Sequence, residues 1–163
     1  MISGNGSFTF ADHFGVNITG AKSNTVAGNY IGLAANGTAT LGNGSSGVRL
    51  SGASFNFIGN GTVAGRNVIS GNGSSGVELE FTSPTNTISG NYIGTDASGL
   101  LDRGNTLFGV ILAGASFNNV SGNVISGNDN DAVYVAGNAS PGNRLTGNFI
   151  GVDATGINPL GND

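Results

Sequence analysis

The sequence predicts an all-β parallel solenoid of about five coils, and three observations support this prediction. A Gly-Val or Ala-Val pair opens a repeated unit at five places, Gly15, Gly47, Gly76, Gly109 and Ala132. Aliphatic residues recur in register within each unit. The 31 Gly and 23 Asn make up a third of the 163 residues and fall at matching positions. The Gly-Val and Ala-Val pairs are 32, 29, 33 and 23 residues apart. A repeat of this length indicates stacked coils, because one unit cannot bury its own apolar face.

Each unit contains three short segments that are predicted to be strands. The first carries two aliphatic columns, Val16, Val48, Val77, Val110, Val133 and then Ile18, Leu50, Leu79, Leu112, Val135. The second supplies Val26, Ile58, Ile88, Val120 and Leu145, and the third supplies Ile2, Ile31, Ile69, Ile93, Ile125 and Ile150. A spacing of two puts both first-strand columns on one face. Stacking coils at ~4.8 Å then gives three parallel sheets around an aliphatic interior.

Asn residues form three further columns at the predicted turns. The first comprises Asn24, Asn56, Asn86, Asn118 and Asn143, and the second comprises Asn29, Asn67, Asn91, Asn123 and Asn148. The third comprises Asn5, Asn43, Asn72, Asn105, Asn128 and Asn162. An Asn amide both donates and accepts hydrogen bonds and tolerates turn conformations. We therefore expect structural ladders in which each Asn bonds to the next coil.

Twelve-residue insertions follow the third strand of alternate units, at Gly32, Gly94 and Gly151. Those units have an aromatic residue beside the third-strand Ile (Tyr30, Tyr92, Phe149), whereas the others have Val68 and Val124. We interpret the insertions as flaps folded over the third sheet, with Leu41 or Leu160 covering the aromatic residue beside it. A row of sugar-stacking rings is the alternative. Asp96 and Asp153 occupy equivalent flap positions, where they can accept bonds from turn amides. Their alternative is a widely spaced pair of catalytic carboxylates.

Units such as NVISGNGSSGVEL and NTISGNYIGTDASG resemble the right-handed parallel β-helix repeat family, found in pectate lyases, copper-site maturation proteins and large bacterial surface proteins. The likeness is strongest to the surface-protein arrays with GNYIGTDASG-type units. It implies a right-handed parallel β-helix over residues 1–163 as a single domain, and an extracellular or cell-surface location, although this segment has no signal peptide. Because neither end shows a capping sequence, we expect uncapped ends and an excerpt from a longer repeat protein.

Composition disfavours several classes of function. A net charge of −4 with only five Lys and Arg leaves no basic stripe for nucleic acid. No apolar stretch approaches the ~20 residues that span a bilayer. The chain has no Cys and therefore no disulfide or thiol nucleophile. The single His13 lies beside Asp12 in an irregular stretch, where we interpret it as a loop residue rather than a base.

Charged residues break the repeat on the outward side of the first strand. Arg49, Glu78 and Glu80 fall on two adjacent units, with Tyr134 two units further on. In the enzymes of the family this segment resembles, the equivalent sheet lines the substrate groove, which makes these four residues candidates for glycan binding. The alternative is a cross-strand ion pair on a solvated face.

A second break is Asp129-Asn130-Asp131, which replaces Gly-Ser-Ser of earlier turns. Asp129 and Asp131 could contribute hard oxygen ligands to a Ca²⁺ site. An Asp/Asn turn is the alternative, since neither a glycine-rich nonapeptide nor an EF-hand loop is present. The sequence implies no other cofactor.

These observations favour a non-catalytic structural or adhesive solenoid, acting as a spacer or as a surface that contacts glycans or cells. The alternative is a carbohydrate-active module, similar to a polysaccharide lyase, hydrolase or epimerase, that uses the first-strand face and a groove over it. A further expectation is head-to-tail stacking with neighbouring repeats of the same or another chain, through exposed strand edges. Mixed outward columns argue against ice binding.

Overall fold

The computed structural model describes residues 1–6, 13–138 and 140–163, in which fifteen short strands form five coils. Coil 1 contains β1 (Val16–Thr19), β2 (Thr25–Val26) and β3 (Tyr30–Ile31). Coil 2 contains β4 (Val48–Ser51), β5 (Phe57–Ile58) and β6 (Val68–Ile69). Coil 3 contains β7 (Val77–Glu80), β8 (Thr87–Ser89) and β9 (Tyr92–Ile93). Coil 4 contains β10 (Val110–Ala113), β11 (Asn119–Ser121) and β12 (Val124–Ile125). Coil 5 contains β13 (Val133–Ala136), β14 (Arg144–Thr146) and β15 (Phe149–Ile150).

Corresponding strands of successive coils pair in parallel and form three five-stranded sheets. The first sheet runs β1-β4-β7-β10-β13, the second runs β2-β5-β8-β11-β14, and the third runs β3-β6-β9-β12-β15. The register matches the predicted columns, so that Val48 pairs with Val77 and Leu50 with Leu79. The prediction of an all-β right-handed parallel β-helix of about five coils is therefore confirmed.

The interior is a single aliphatic core made by the predicted columns. In coils 2 to 4 these side chains are fully buried: Val48, Leu50, Ile58, Ile69, Val77, Leu79, Ile88, Ile93, Val110, Leu112, Val120 and Ile125. Full burial of one such side chain contributes roughly 1.5–3 kcal/mol. In coil 5, Val135, Leu145 and Ile150 are about half exposed, because only coil 4 covers them. Each coil therefore depends on its neighbours for burial.

The Asn columns form three continuous hydrogen-bonded ladders. In each ladder the Nδ2 of one Asn donates to the Oδ1 of the Asn in the next coil, as from Asn67 to Asn91 at 3.0 Å and from Asn91 to Asn123 at 3.1 Å. The same Oδ1 also accepts the backbone N–H of the preceding Asn. Among the described residues, no buried side-chain nitrogen or oxygen lacks a hydrogen-bond partner.

Each insertion is a short hairpin, and we call residues 32–43, 94–105 and 151–162 the flaps. Isolated antiparallel bridges close them, Leu33 with Thr40, Thr95 with Asp102 and Val152 with Pro159. Each flap lies over the aromatic ring of its own coil. A Cβ on Gly99, for example, would stand 2.7 Å from Cε2 of Tyr92. The flaps thus cover the third sheet, as the sequence predicts, and a glycine of each flap lies against the ring. The expected cover by Leu41 or Leu160 stays a prediction.

The flaps also stack on one another across the intervening coil. The Ala97 amide donates to the Gly37 carbonyl at 2.8 Å, and the Ala154 amide donates to the Gly99 carbonyl at 2.9 Å. Consequently Val68 and Val124 of the coils without flaps are buried beneath this layer. The flap layer is continuous although only alternate coils contribute to it.

Candidate functional site

The first sheet brings Arg49, Glu78 and Glu80 together on its outer face. Arg49 in β4 forms an ion pair with Glu80 in β7, and its Nε donates to Glu80 Oε1 at 2.5 Å. The two side chains are only 20% and 17% exposed. Because they are partly solvated, we expect the pair to contribute about 1 kcal/mol or less to stability. The ion pair is thus present, with Arg49 bonded to Glu80 and not to the directly opposite Glu78.

Further partners of this group come from neighbouring turns. Ser46 Oγ donates to Glu78 Oε2 at 2.6 Å. The guanidinium carbon of Arg49 lies 5.0 Å from the centroid of the Phe14 ring. At that distance the cation interacts with the face of the ring. The charged side chains of this face are therefore engaged with other groups of the same chain.

Tyr134 lies apart from the charged group. It stands in β13, two strands from Glu78, and Ile111 of β10 occupies the position between them. Its ring stacks on Phe108, with centroids 4.7 Å apart and an angle of 8° between the planes. The outer face of the first sheet consequently has a charged half and an aromatic half.

The corner that contains Asp129 and Asp131 is an exposed turn after β12. Both carboxylates are exposed, and the Asp131 amide donates to Asn130 Oδ1 at 2.9 Å. In residues 1–6, 13–138 and 140–163, no three His, Cys, Asp or Glu side chains are grouped so that they could hold a metal ion. The geometry therefore gives the Ca²⁺ hypothesis for Asp129 and Asp131 no support.

Asp96 and Asp153 are buried carboxylates that organise their flaps. Asp96 Oδ1 accepts from Ser98 Oγ at 2.7 Å and from the Leu100 and Leu101 amides at 3.2 Å. Burial raises the pKa of Asp96, but these hydrogen bonds more than offset that effect and hold the pKa below its ordinary value. Bonds from the Thr155 and Asn158 side chains lower the pKa of Asp153 to about 2. Both groups are thus turn acceptors.

The first flap has Ala34 where the others have Asp, and Asn36 performs the corresponding task. Asn36 Oδ1 accepts the Thr38 amide at 3.0 Å and the Ala39 amide at 3.1 Å. Since a neutral amide replaces the carboxylate in one flap, the acceptor and not the charge is what the flap requires.

Sequence reasoning missed a set of exposed aromatic residues at the corner between the first and second sheets. Phe55, Phe81 and Phe117 are more than half exposed there. An alignment of the units contains the signal for Phe81, because the preceding and following coils have Gly52 and Gly114 at this position.

The part of the chain that the structure describes contains no pocket, including over the first-sheet face. The outer face of the first sheet is therefore an open surface, whereas the carbohydrate-active alternative predicts a groove over this face.

Comparison with known protein families shows which family the chain belongs to. The model of the family described as periplasmic copper-binding protein (NosD) matches residues 1–162. The chain belongs to the NosD family. This family has the right-handed parallel β-helix fold, in agreement with the three parallel sheets. No curated protein and no solved structure gives a match.

The donor set of this NosD-family chain does not fit a copper centre. Many copper sites in proteins are built from imidazole, thiolate or thioether ligands, such as two His and one Cys with an axial Met. The complete sequence has one His, one Met and no Cys. Met1 is 63% exposed at one end, and His13 lies against Gly6 at the entry to coil 1. These residues alone are too few to build such a site.

The described residues contain no membrane-spanning helix. None of the segments 1–6, 13–138 and 140–163 forms a helix of the length and hydropathy needed to cross a bilayer.

Proposed function

We propose that this chain is a non-catalytic structural module, a rigid β-solenoid spacer that presents its outer faces as contact surfaces. The observation that carries the proposal is the continuity of the three Asn ladders and the aliphatic core through all five coils. Stacked repeats held by nearest-neighbour contacts form stiff rods with long exposed faces. Such a rod is suited to separating or displaying other groups.

The side chains that break the repeat support the same role. Arg49 pairs with Glu80, Glu78 accepts from Ser46, and Tyr134 stacks on Phe108. Catalytic acids and bases are usually recognised by a concave site and a strongly shifted pKa. The strongly shifted carboxylate here, Asp153, is bonded within its own flap.

The family suggests where this module acts. Because the family is described as periplasmic, we place the chain at the cell envelope, either in the periplasm or on the cell surface. A contact with polysaccharide or with another β-helix is the kind of partnership that a long open face allows. For copper, the single His and single Met favour a scaffold role, with any ligands supplied from outside this chain.

A second candidate is a carbohydrate-active module that uses the first-sheet face. The observation in its favour is that the Phe108–Tyr134 stack and the Arg49–Glu80 pair share that one face. Aromatic rings offer large contact areas, and glycoside hydrolysis uses pairs of carboxyl groups.

Turnover of polysaccharides separates the two candidates. The purified chain would be incubated with neutral and acidic polysaccharides, and reducing ends and unsaturated uronates would be measured. We expect no release above the buffer control from any substrate. Release that disappears in Glu78→Gln or Glu80→Gln, with the fold intact by circular dichroism, would overturn the structural proposal in favour of the second candidate.

A further inference from the structure

The chain contains five Asn-Gly dipeptides, and the fold places them in different surroundings. They are Asn5-Gly6, Asn36-Gly37, Asn43-Gly44, Asn60-Gly61 and Asn72-Gly73. In such a pair the backbone nitrogen of Gly can attack the side-chain amide carbon of Asn, because Gly has no Cβ to obstruct the approach. The attack leads to an aspartate or an isoaspartate, which is a covalent change of charge. The local structure decides whether a given pair can react.

Two of the pairs are held inside the third Asn ladder. Asn43 Nδ2 donates to Asn72 Oδ1 at 2.8 Å, and both side chains are fully buried. The nitrogens of Gly44 and Gly73 each donate to the carbonyl of the ladder Asn before them, at 2.9 Å. In these two pairs the nitrogen and the amide carbon cannot approach each other unless the coil opens.

The pair in the first flap is exposed at Asn36 but held in place at Gly37. The Gly37 nitrogen donates to the Ala34 carbonyl at 2.9 Å, and the Gly37 carbonyl accepts from the Ala97 amide at 2.8 Å. Gly37 is buried, and a Cβ there would stand 2.6 Å from the Ala97 Cβ and 3.1 Å from Cε2 of Tyr30. The flap layer therefore restrains the nitrogen that would have to move.

The pair Asn60-Gly61 is exposed at both residues and lies in the loop 60–65, the short insertion of coil 2. Nothing lies within 4 Å of a Cβ built on Gly61, and its nitrogen makes a longer hydrogen bond, 3.3 Å to the Ser89 carbonyl. Asn60 Oδ1 accepts the Thr62 amide at 3.0 Å and Thr62 Oγ1 at 2.7 Å. Donors at this oxygen stabilise the negative charge that develops on it when the amide carbon is attacked. This pair thus combines a polarised carbonyl with a nitrogen that is free to move.

We propose that Asn60 is a site of spontaneous deamidation in the folded protein. The Gly61 nitrogen forms a bond to Asn60 Cγ and loses its proton, and the Cγ–Nδ2 bond breaks to release ammonia. Water then opens the resulting succinimide ring at either carbonyl and leaves an aspartate or an isoaspartate at position 60. No oxidant, reductant or cofactor takes part. The inference goes beyond the proposed function and does not depend on it.

The modification changes the surface of the solenoid and leaves its core in place. Each event adds one negative charge to the loop 60–65, which has no charged side chain of its own. Asn60 follows β5 and lies outside the aliphatic and Asn columns. We therefore expect the isoelectric point of the chain to fall with time while its Tm stays the same.

The test incubates the folded chain in mildly alkaline water enriched in heavy oxygen and then analyses its peptides by tandem mass spectrometry. Each deamidation incorporates one solvent oxygen at the modified residue. Asn36 is the matched control, because Asn36 and Asn60 are both followed by Gly-Thr. We expect Asn60 to be modified about tenfold faster than Asn36, and Asn43 and Asn72 to stay unmodified, since sites held by native bonds react only through local opening or unfolding.

In concentrated urea Asn36, Asn43, Asn60 and Asn72 should react at similar rates, because the fold no longer distinguishes them. Asn60→Gln should lower the amount of acidic species on isoelectric focusing, and Asn36→Gln should not. Equal rates at Asn36 and Asn60 in the folded chain, or an absence of modification at Asn60, would overturn the inference. A tenfold preference for Asn60 that persists in urea would overturn it as well, because the preference would then not come from the structure. None of these outcomes bears on the structural proposal.

Discussion

At the scale of single residues, the buried amide of Asn91 shows how polar groups fit inside the solenoid. Asn91 Nδ2 donates to the Ile58 carbonyl and to Asn123 Oδ1, and its Oδ1 accepts both the amide nitrogen and Nδ2 of Asn67. One side chain therefore links three coils. A residue that only donates or only accepts could not do this.

We expect Asn91→Ala to lower the free energy of unfolding by about 2–4 kcal/mol, because it leaves the buried Asn67 amide without its acceptor. Urea unfolding monitored by circular dichroism measures the change. Asn17→Ala, on the exposed side of β1, is the control and should cost about 0.5 kcal/mol or less. Equal losses in the two variants would contradict the assigned role of the ladder.

Asp153 provides a prediction about pH. Its pKa is lowered from 3.8 to about 2 by bonds from Thr155 and Asn158. A carboxyl group with a depressed pKa in the folded state stabilises the protein above the unfolded pKa, and this stabilisation is lost as pH falls through the folded pKa. We therefore expect the free energy of unfolding to fall between pH 3.8 and about 2. The fall should be smaller in Asp153→Asn, and identical pH profiles would rule out this source of acid sensitivity.

At the scale of elements, the flap and the coil beneath it depend on each other. Each flap places a glycine against the ring of its own coil, and the first two flaps also place that glycine against an alanine of the next flap, as Gly99 does with Tyr92 and Ala154. The flaps on coils 1, 3 and 5 thereby also protect Val68 and Val124 on coils 2 and 4. The smallest repeating unit that includes a flap to cover the third sheet is therefore a pair of coils.

Replacing Gly99 by Ala tests this contact. The new Cβ would stand 2.5 Å from the Ala154 Cβ and 2.7 Å from the Tyr92 ring, at a φ of 73°. Gly122→Ala is the matched control, because Gly122 has φ of 62° and nothing within 4 Å of the added atom. The control should cost roughly 1–2 kcal/mol from backbone conformation alone. We expect Gly99→Ala to lose at least about 1 kcal/mol more in urea unfolding, and the idea of a packed flap layer fails if the two losses agree.

At the scale of the whole molecule, the two ends of the solenoid leave edge strands that can pair. The first sheet has β1 and β13 as its edges, and the core side chains of coil 5, such as Val135 and Ile150, are about half exposed. Unpaired edges with apolar side chains favour association. We therefore propose that copies of this chain stack head to tail through these edges.

We expect the weight-average mass of the purified chain to rise with concentration in sedimentation equilibrium, and we expect Val135→Lys to suppress the rise, because a charge on an edge strand opposes pairing. Val63→Lys is the control, since Val63 is exposed on a loop away from the edges. A constant monomer mass at all concentrations would count against stacking.

Much of the fold follows from sequence because each structural need recurs in every coil. Columns such as Val48 and Val77, or Asn67 and Asn91, occupy matching positions, and the observed register pairs them as the spacing predicts. The prediction of flaps over the third sheet succeeds for the same reason, since aromatic rings and insertions occur together in alternate units.

The sequence by itself determined the coil, its aliphatic core and its turns, because local period and residue type are sufficient to define a repeated unit. Only the tertiary structure decided which outward side chains meet. Arg49 bonds to Glu80 and not to its direct neighbour Glu78, Tyr134 stacks on Phe108, and consecutive flaps bond directly. These contacts depend on side-chain rotamers and on distances between coils. Neither the period of the repeat nor an alignment of its units shows which side-chain rotamers are adopted or how far apart the side chains of different coils lie.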